Sequence, residues 1–209
     1  MSPIVYLHGF ASGPGSKKAR FFRERFAELG IGLEVPQLDE GDFQRLSLSG
    51  QLGVIERVSG GRPVTLLGSS MGGYLAALYA ARHAEVEKLV LMAPAFCFLK
   101  RWTETLGPAQ LERWRSAGSL EVFHYSQGGP AALGYQLIQD AARYEDYPDV
   151  SQPVLIFHGQ NDASVPPGYS ETFAAKHPRV RLLLLNSDHE LLNVLDDMWM
   201  ETEAFLLRG

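Results

Sequence analysis

The chain has 209 residues, 45% of them apolar and 21% charged, with a formal net charge of −5. That length and apolar content suit one globular domain, 1–209, with a sizeable core. The mild acidity argues against a nucleic-acid partner, no apolar run reaches the roughly 18 residues of a membrane helix, and the single cysteine, Cys97, excludes an internal disulfide and fits a reducing cytoplasm. Met1 to Gly9 has no basic start and no cleavable apolar segment, so no secretory signal is expected.

Ile4 to Leu7 reads as a strand and Ser16 to Leu29 as a helix, with Phe22, Phe26 and Leu29 at i, i+4 and i+7. Lys17, Lys18, Arg20, Arg23 and Arg25 on that helix read as a solvated face, with attraction of an anionic substrate as the alternative. Gly30 and Gly32 stop the helix, and Leu33 to Val35 is a short strand ended by Pro36. Phe43 to Val58 fits an amphipathic helix weakened by Gly50 and Gly53. Val64 to Leu67, Leu89 to Met92, Val154 to Phe157 and Val180 to Leu185 read as strands; Gly72 to His83, Pro167 to Lys176 and Leu191 to Leu207 read as helices. Strands with continuous apolar character, separated by helices, imply an α/β fold: a mostly parallel sheet covered on both faces.

Ala95 to Pro148 breaks this rhythm. It offers no buried strand but two helix candidates, near 108–117 and 130–143, and six aromatics: Phe96, Phe98, Trp102, Trp114, Phe123 and Tyr125. We read 95–148 as a small helical cap-like insertion over the site. Phe96, Phe98, Trp102 and Trp114 are its candidate substrate-binding residues. The alternative is a packed excursion that buries its own aromatics.

The most telling stretch is Gly68-Ser69-Ser70-Met71-Gly72, a G-x-S-x-G sequence between a strand and a helix. At such a junction the chain makes a sharp turn that lifts one serine, here Ser70, above the sheet. A serine hydroxyl needs an adjacent base, and the base needs a group that orients it. Two later strands each deliver one: His158-Gly159-Gln160-Asn161-Asp162 after the first, Asn186-Ser187-Asp188-His189 after the second. Ser70, Asp162 and His189 then stand in Ser…Asp…His order. An oxyanion would be met by the N–H of Met71, after the serine, and by that of Phe10, in the loop His8 to Gly13 after the first strand.

Competing readings are weaker. Ser69 should face the protein interior, and Asp188 is too close in sequence to His189 to orient its ring well. His8 and His158 lack metal-ligand spacing, so no metal is expected. His83, His124 and His177 read as surface or cap histidines. Gly13 to Lys18 lacks the spacing of a phosphate-binding loop.

Taken together, His8-Gly9-Phe10, Gly68 to Gly73, His158 to Asp162 with Val165-Pro166, and Asp188-His189 resemble the α/β-hydrolase superfamily. Within it they resemble the small bacterial serine esterases of the YqiA-like group. The resemblance runs from residue 8 to 189. It implies Ser70 as nucleophile, His189 as base, Asp162 as its acid partner and Phe10 and Met71 as oxyanion donors, with no cofactor. The chain begins on the strand that leads to the oxyanion loop, so a reduced sheet of about six strands is expected. The implied function is hydrolysis of carboxylic esters or thioesters of short-to-medium acyl groups through an acyl-enzyme. The partner would be a small acyl substrate, with no nucleic acid, no membrane and the oligomeric state open. Carbon–carbon bond cleavage, amide hydrolysis or perhydrolysis would use the same residues. A non-catalytic small-molecule receptor is the reading from another class.

Overall fold

A computed structural model describes residues 2–207. The strands are β1 (Ile4–Leu7), β2 (Leu33–Glu34), β3 (Val64–Ser69), β4 (Val86–Met92), β5 (Ser119–His124), β6 (Gly129–Gly134), β7 (Val154–Gly159) and β8 (Val180–Leu185). The helices are α1 (Lys17–Glu28), α2 (Leu48–Ser59), α3 (Met71–Ala80), α4 (Phe98–Ala117), α5 (Gln136–Ala141), α6 (Gly168–Lys176) and α7 (Leu195–Leu207).

Every residue of β1, β3 and β7 is buried, which is why these runs are mostly apolar instead of alternating. They belong to a six-stranded sheet of order β2-β1-β3-β4-β7-β8 in which all neighbours are parallel. The edge strand β8 is correspondingly half-exposed. One face packs on α1 and α7 around Tyr6, Phe22, Phe26 and Met198. The other packs on α2, α3 and α6 around Leu66, Leu75, Leu91 and Phe173. From β1 the chain moves to β2 on one side and then returns to β3 on the other. The order therefore reverses between β1 and β3, where open α/β sheets hold ligands. Pairing of Leu7 with Gly68, and of Ser69 with Met92, brings the carboxyl ends of these strands level.

Two expected elements differ. The run Phe43 to Val58 is not one helix. A 3-10 turn at Phe43–Arg45, capped by Asp42, ends at extended Leu46, and α2 starts afresh where the Ser47 hydroxyl accepts from Gly50 N at 3.0 Å. The insertion is only partly helical. α4 is kinked at Gly107, before Pro108, and residues 130–143 split into β6 and the short α5. β5 and β6 form an antiparallel hairpin turning near Gly128-Gly129. Its faces alternate between covered and exposed, so a search for buried strands passes over it.

Most sterically constrained is the contact between α3 and the strands beneath it. A Cβ on Gly72 would lie 2.1 Å from Leu7 O, and one on Gly68 2.4 Å from Gly72 O. Both neighbours are main chain and cannot rotate away. Gly72→Ala is therefore expected to destabilise the protein by about 2–4 kcal/mol. Urea unfolding checks this, and a midpoint equal to that of the wild type would contradict it.

Candidate active site

Ser70 links β3 to α3 with φ 53° and ψ −116°, a region that residues with side chains avoid. Its backbone is clamped. Its N–H donates to Met92 O at 2.8 Å, and its carbonyl accepts from Gly73, Tyr74 and Ala95 N–H groups at 3.0–3.1 Å. The hydroxyl is left to the cleft. Met71 is the first residue of α3, so its N–H has no acceptor one turn back inside the helix. Ser69 is buried, as expected.

His189 brings Nε2 to 3.0 Å from Ser70 Oγ, and Nδ1 to 2.7 Å from Asp162 Oδ2. Gly159 makes this possible. A Cβ there would sit 2.3 Å from Asp188 O, so only glycine lets the β8–α7 loop close over the end of β7. Asn161 N–H donates to Ser187 O at 3.0 Å and ties the same two loops. Leu191, buried at φ 57°, holds the turn behind His189. Asp188 turns away: its Oδ1 accepts from Glu190 N at 2.9 Å.

Asp162 is buried, which alone would raise its pKa. Hydrogen bonds outweigh the burial. His158 Nε2 lies 3.2 Å and His189 Nδ1 2.7 Å from Oδ2, while Val165 N–H and Ser164 N–H donate to Oδ1 at 2.7 and 2.9 Å. The carboxyl is held well below the ordinary range and stays ionised. His158 is fully buried, with Nε2 also 2.7 Å from Val165 O and Nδ1 2.7 Å from Ser170 Oγ. An Nε2–H there serves the Val165 carbonyl and the carboxylate together. A hydroxyl paired with an imidazole, itself paired with an ionised buried carboxylate, is an arrangement able to pass a proton from the hydroxyl to the ring.

The loop after β1 runs close beside this group. A Cβ on Gly9 would be 3.4 Å from Ser70 Cβ. Burial lowers the pKa of His8, and its ring anchors the loop: Nε2 accepts from Leu38 N–H at 3.3 Å and Nδ1 donates to Gly9 O at 3.0 Å. Phe10 packs its ring on Phe43 and Trp102 at 5.5 and 5.1 Å.

Ser70 and His189 open onto a cleft of about 750 Å³. Phe98 and Trp102 line it with Phe10, Met71 and Val165. Phe96 and Trp114 do not. Phe96 is buried and stacks on Phe173 at 4.3 Å, and Trp114 is buried with its indole N–H donating to Leu133 O at 2.9 Å. Aromatic identity did not separate the two pairs: Phe96 precedes α4 and packs on Phe173, Phe98 and Trp102 stand in its first half and line the cleft, and Trp114 lies beyond the Gly107 kink and bonds to Leu133.

Other lining residues were missed. Tyr125 and Ser126, in the hairpin turn, reach the cleft because Tyr125 N–H donates to Ala11 O at 2.8 Å. Lys18 is not on a solvated face: it is buried, and its Nζ donates to Glu190 O at 2.7 Å. Burial lowers its pKa against the opposing pull of Glu190, Asp188 and Asp162. His124 and His177 are buried too, His124 against Phe43 and 3.8 Å from Asp39, His177 on Phe173. Away from the cleft, Glu56, His83 and Glu85 converge within 4.8 Å. Their polar atoms are engaged locally, His83 with Glu85 at 3.0 Å and Glu56 with Tyr79 at 2.7 Å. Among the described residues no helix is long and apolar enough to cross a membrane.

The chain belongs to the family described as "Uncharacterised protein family (UPF0227)", which it matches over residues 3–206. It is 27% identical over 154 residues to the pimeloyl-(acyl-carrier protein) methyl ester esterase of Nitrosomonas europaea, covering 57% of this chain and 61% of that one. The chain thus spans less than two thirds of that relative's length. Among solved structures it superposes on alpha/beta hydrolase domain-containing protein 10 from mouse, with TM-score 0.83, 20% identity and coverage of 99% of this chain and 90% of that one. It superposes equally on Est1E from Butyrivibrio proteoclasticus with ferulic acid bound, with TM-score 0.82, 19% identity and coverage of 100% and 89%. These likenesses show an α/β-hydrolase fold, with the parallel six-stranded sheet expected from the sequence.

The depressed Asp162 pKa has a direct consequence for stability. A carboxylate held below its unfolded value of about 3.9 stabilises the fold above that pH, and the contribution fades as pH falls through the folded value. The gap in urea midpoint between wild type and Asp162→Asn is therefore expected to be widest near pH 7 and to narrow below about pH 4. A gap constant from pH 7 to pH 3 would contradict an ionised, hydrogen-bonded Asp162.

Proposed function

We propose that this α/β-hydrolase-fold protein is a serine hydrolase that cleaves carboxylic esters or thioesters through an acyl-enzyme. One observation carries the reading: the continuous contact from Ser70 Oγ through His189 to Asp162, at the mouth of a cleft with an aromatic wall. Ser70 Oγ attacks the acyl carbon while its proton passes to His189 Nε2. Asp162 accepts from Nδ1–H and stabilises the imidazolium that forms. The negative charge moving onto the carbonyl oxygen is met by the Phe10 and Met71 N–H groups, each such donor typically worth a few kcal/mol. The carbon–oxygen or carbon–sulfur bond breaks, and His189 returns the proton to the departing alkoxide or thiolate. Water then adds to the acyl carbon, giving its proton to His189 and restoring Ser70 as the acid leaves.

The Nitrosomonas europaea relative is named for ester cleavage, which favours an ester over an amide. The side chains of Phe98 and Trp102, with Phe10, suit an acyl chain of short to medium length. No step calls on a metal or a cofactor. Cys97 is buried and unpaired, consistent with a reducing cytoplasm.

Ser70→Ala is expected to lower kcat/KM for p-nitrophenyl butyrate by about a thousandfold or more, with the unfolding midpoint close to that of the wild type. Turnover by the variant at near wild-type rate, in a folded protein, would overturn the reading.

A further inference from the structure

The acyl-transfer steps give no work to Lys18, yet among the described residues it is the one lysine or arginine that is buried. It is the second residue of α1, and Phe22 and Phe26 follow it at i+4 and i+8 on the face that packs on the sheet. An apolar side chain would be the ordinary occupant of that position, because a buried ammonium is costly unless it is paired. Lys17 beside it is exposed.

The pairing leads to the site. Lys18 Nζ donates to Glu190 O at 2.7 Å, across 172 positions of sequence, and Glu190 directly follows His189. The other ties of the loop that carries His189 run within itself or to the loop after β7. Glu190 N–H donates to Asp188 Oδ1 at 2.9 Å, and Asn161 N–H to Ser187 O at 3.0 Å. Among the described residues Lys18 is the one hydrogen-bond donor that reaches this loop from α1. The carboxylates of Glu190, Asp188 and Asp162 surround the ammonium and favour its charged form, against a burial that lowers its pKa. Asp162 is already bonded to His158 and His189, while Asp188 and Glu190 are exposed and flank the base. A cation held at this place therefore draws both sides of the His189 turn toward α1.

We infer that Lys18 is a positioning residue for the base: its ammonium, donating to the Glu190 carbonyl and facing the Asp188 and Glu190 carboxylates, holds the His189 loop against α1 and keeps Nε2 in line with Ser70 Oγ. The inference rests on the reading of Ser70 and His189 as nucleophile and base. A loosened loop leaves substrate binding in the cleft intact but breaks the alignment on which proton transfer depends, so the loss falls on kcat.

Lys18→Met removes the charge and the donor and keeps an unbranched side chain. Its kcat for p-nitrophenyl butyrate is expected to fall about tenfold, with KM within about twofold of the wild type. Hydrogen exchange followed by peptide mass should quicken in residues 186–191 and stay unchanged in β3 and β4. Lys18→Arg, which keeps a charged donor, should retain kcat within about threefold. A purely structural role would instead quicken exchange throughout the sheet and lower the urea midpoint, and that result overturns the inference. So does a kcat of Lys18→Met close to that of the wild type, or a Lys18→Arg as slow as Lys18→Met. If Lys18→Met does not fold, Lys18→Gln is judged by the same two readings, and failure of both to fold makes Lys18 structural and overturns the inference. If the wild type hydrolyses no ester, the hydrolase reading falls and exchange alone decides the tether: quickening confined to 186–191 supports it, and an unchanged pattern overturns it.

Discussion

The main chain of Ser70 is held in a conformation, φ 53° and ψ −116°, that costs on the order of 1–3 kcal/mol when imposed on a residue with a side chain. Four backbone hydrogen bonds on its N–H and carbonyl offset that strain, one from β4 and three from the residues that follow the turn and β4. The glycines at 68 and 72 let α3 lie against β1 and β3 closely enough for those bonds to form. Ala11, Ala93 and Leu191 also have positive φ and stand in loops that follow strands of the same sheet. Strained residues thus gather at one sheet edge, where packed strands beneath can hold them.

On that scaffold, hydrogen-bond partners assign different work to three histidines near the carboxyl ends of strands in one sheet. His8 and His158 each precede a glycine, and both spend their ring nitrogens on neighbouring protein groups. His189 alone of the three offers Nε2 to a serine facing the cleft. His158 still bears on the chemistry, because its Nε2 meets the same Asp162 oxygen, Oδ2, as His189 Nδ1. Two imidazoles and two backbone N–H groups on one buried carboxylate keep it charged where burial would otherwise neutralise it.

The sheet and the Ser70, Asp162 and His189 grouping were legible in the sequence, because each depends on local signals in series. A continuous apolar run gives a buried strand, and the residues just after it fall at the carboxyl edge. What was not legible depends on side-chain direction and on contacts between distant segments. Lys18 reads as one charge among several on a polar helix face, but the position of Glu190 buries it. Phe96 and Trp114 are as aromatic as Phe98 and Trp102, yet face inward. The β5–β6 hairpin was missed because its strands are half-exposed, and its reach into the cleft depends on a backbone bond from Tyr125 to Ala11. The cleft therefore has an apolar side foreseeable in kind and a polar side set by tertiary packing.

The central claim is that Ser70 is a nucleophile activated by His189. The most direct measurement is intact-protein mass followed by peptide mapping after exposure to a fluorophosphonate, in the wild type and in His189→Ala. The account predicts a single adduct on Ser70 in the wild type, formed at least a hundredfold more slowly, on the order of magnitude for loss of a general base, in His189→Ala. An adduct elsewhere, or labelling of Ser70 at the same rate without His189, would contradict it.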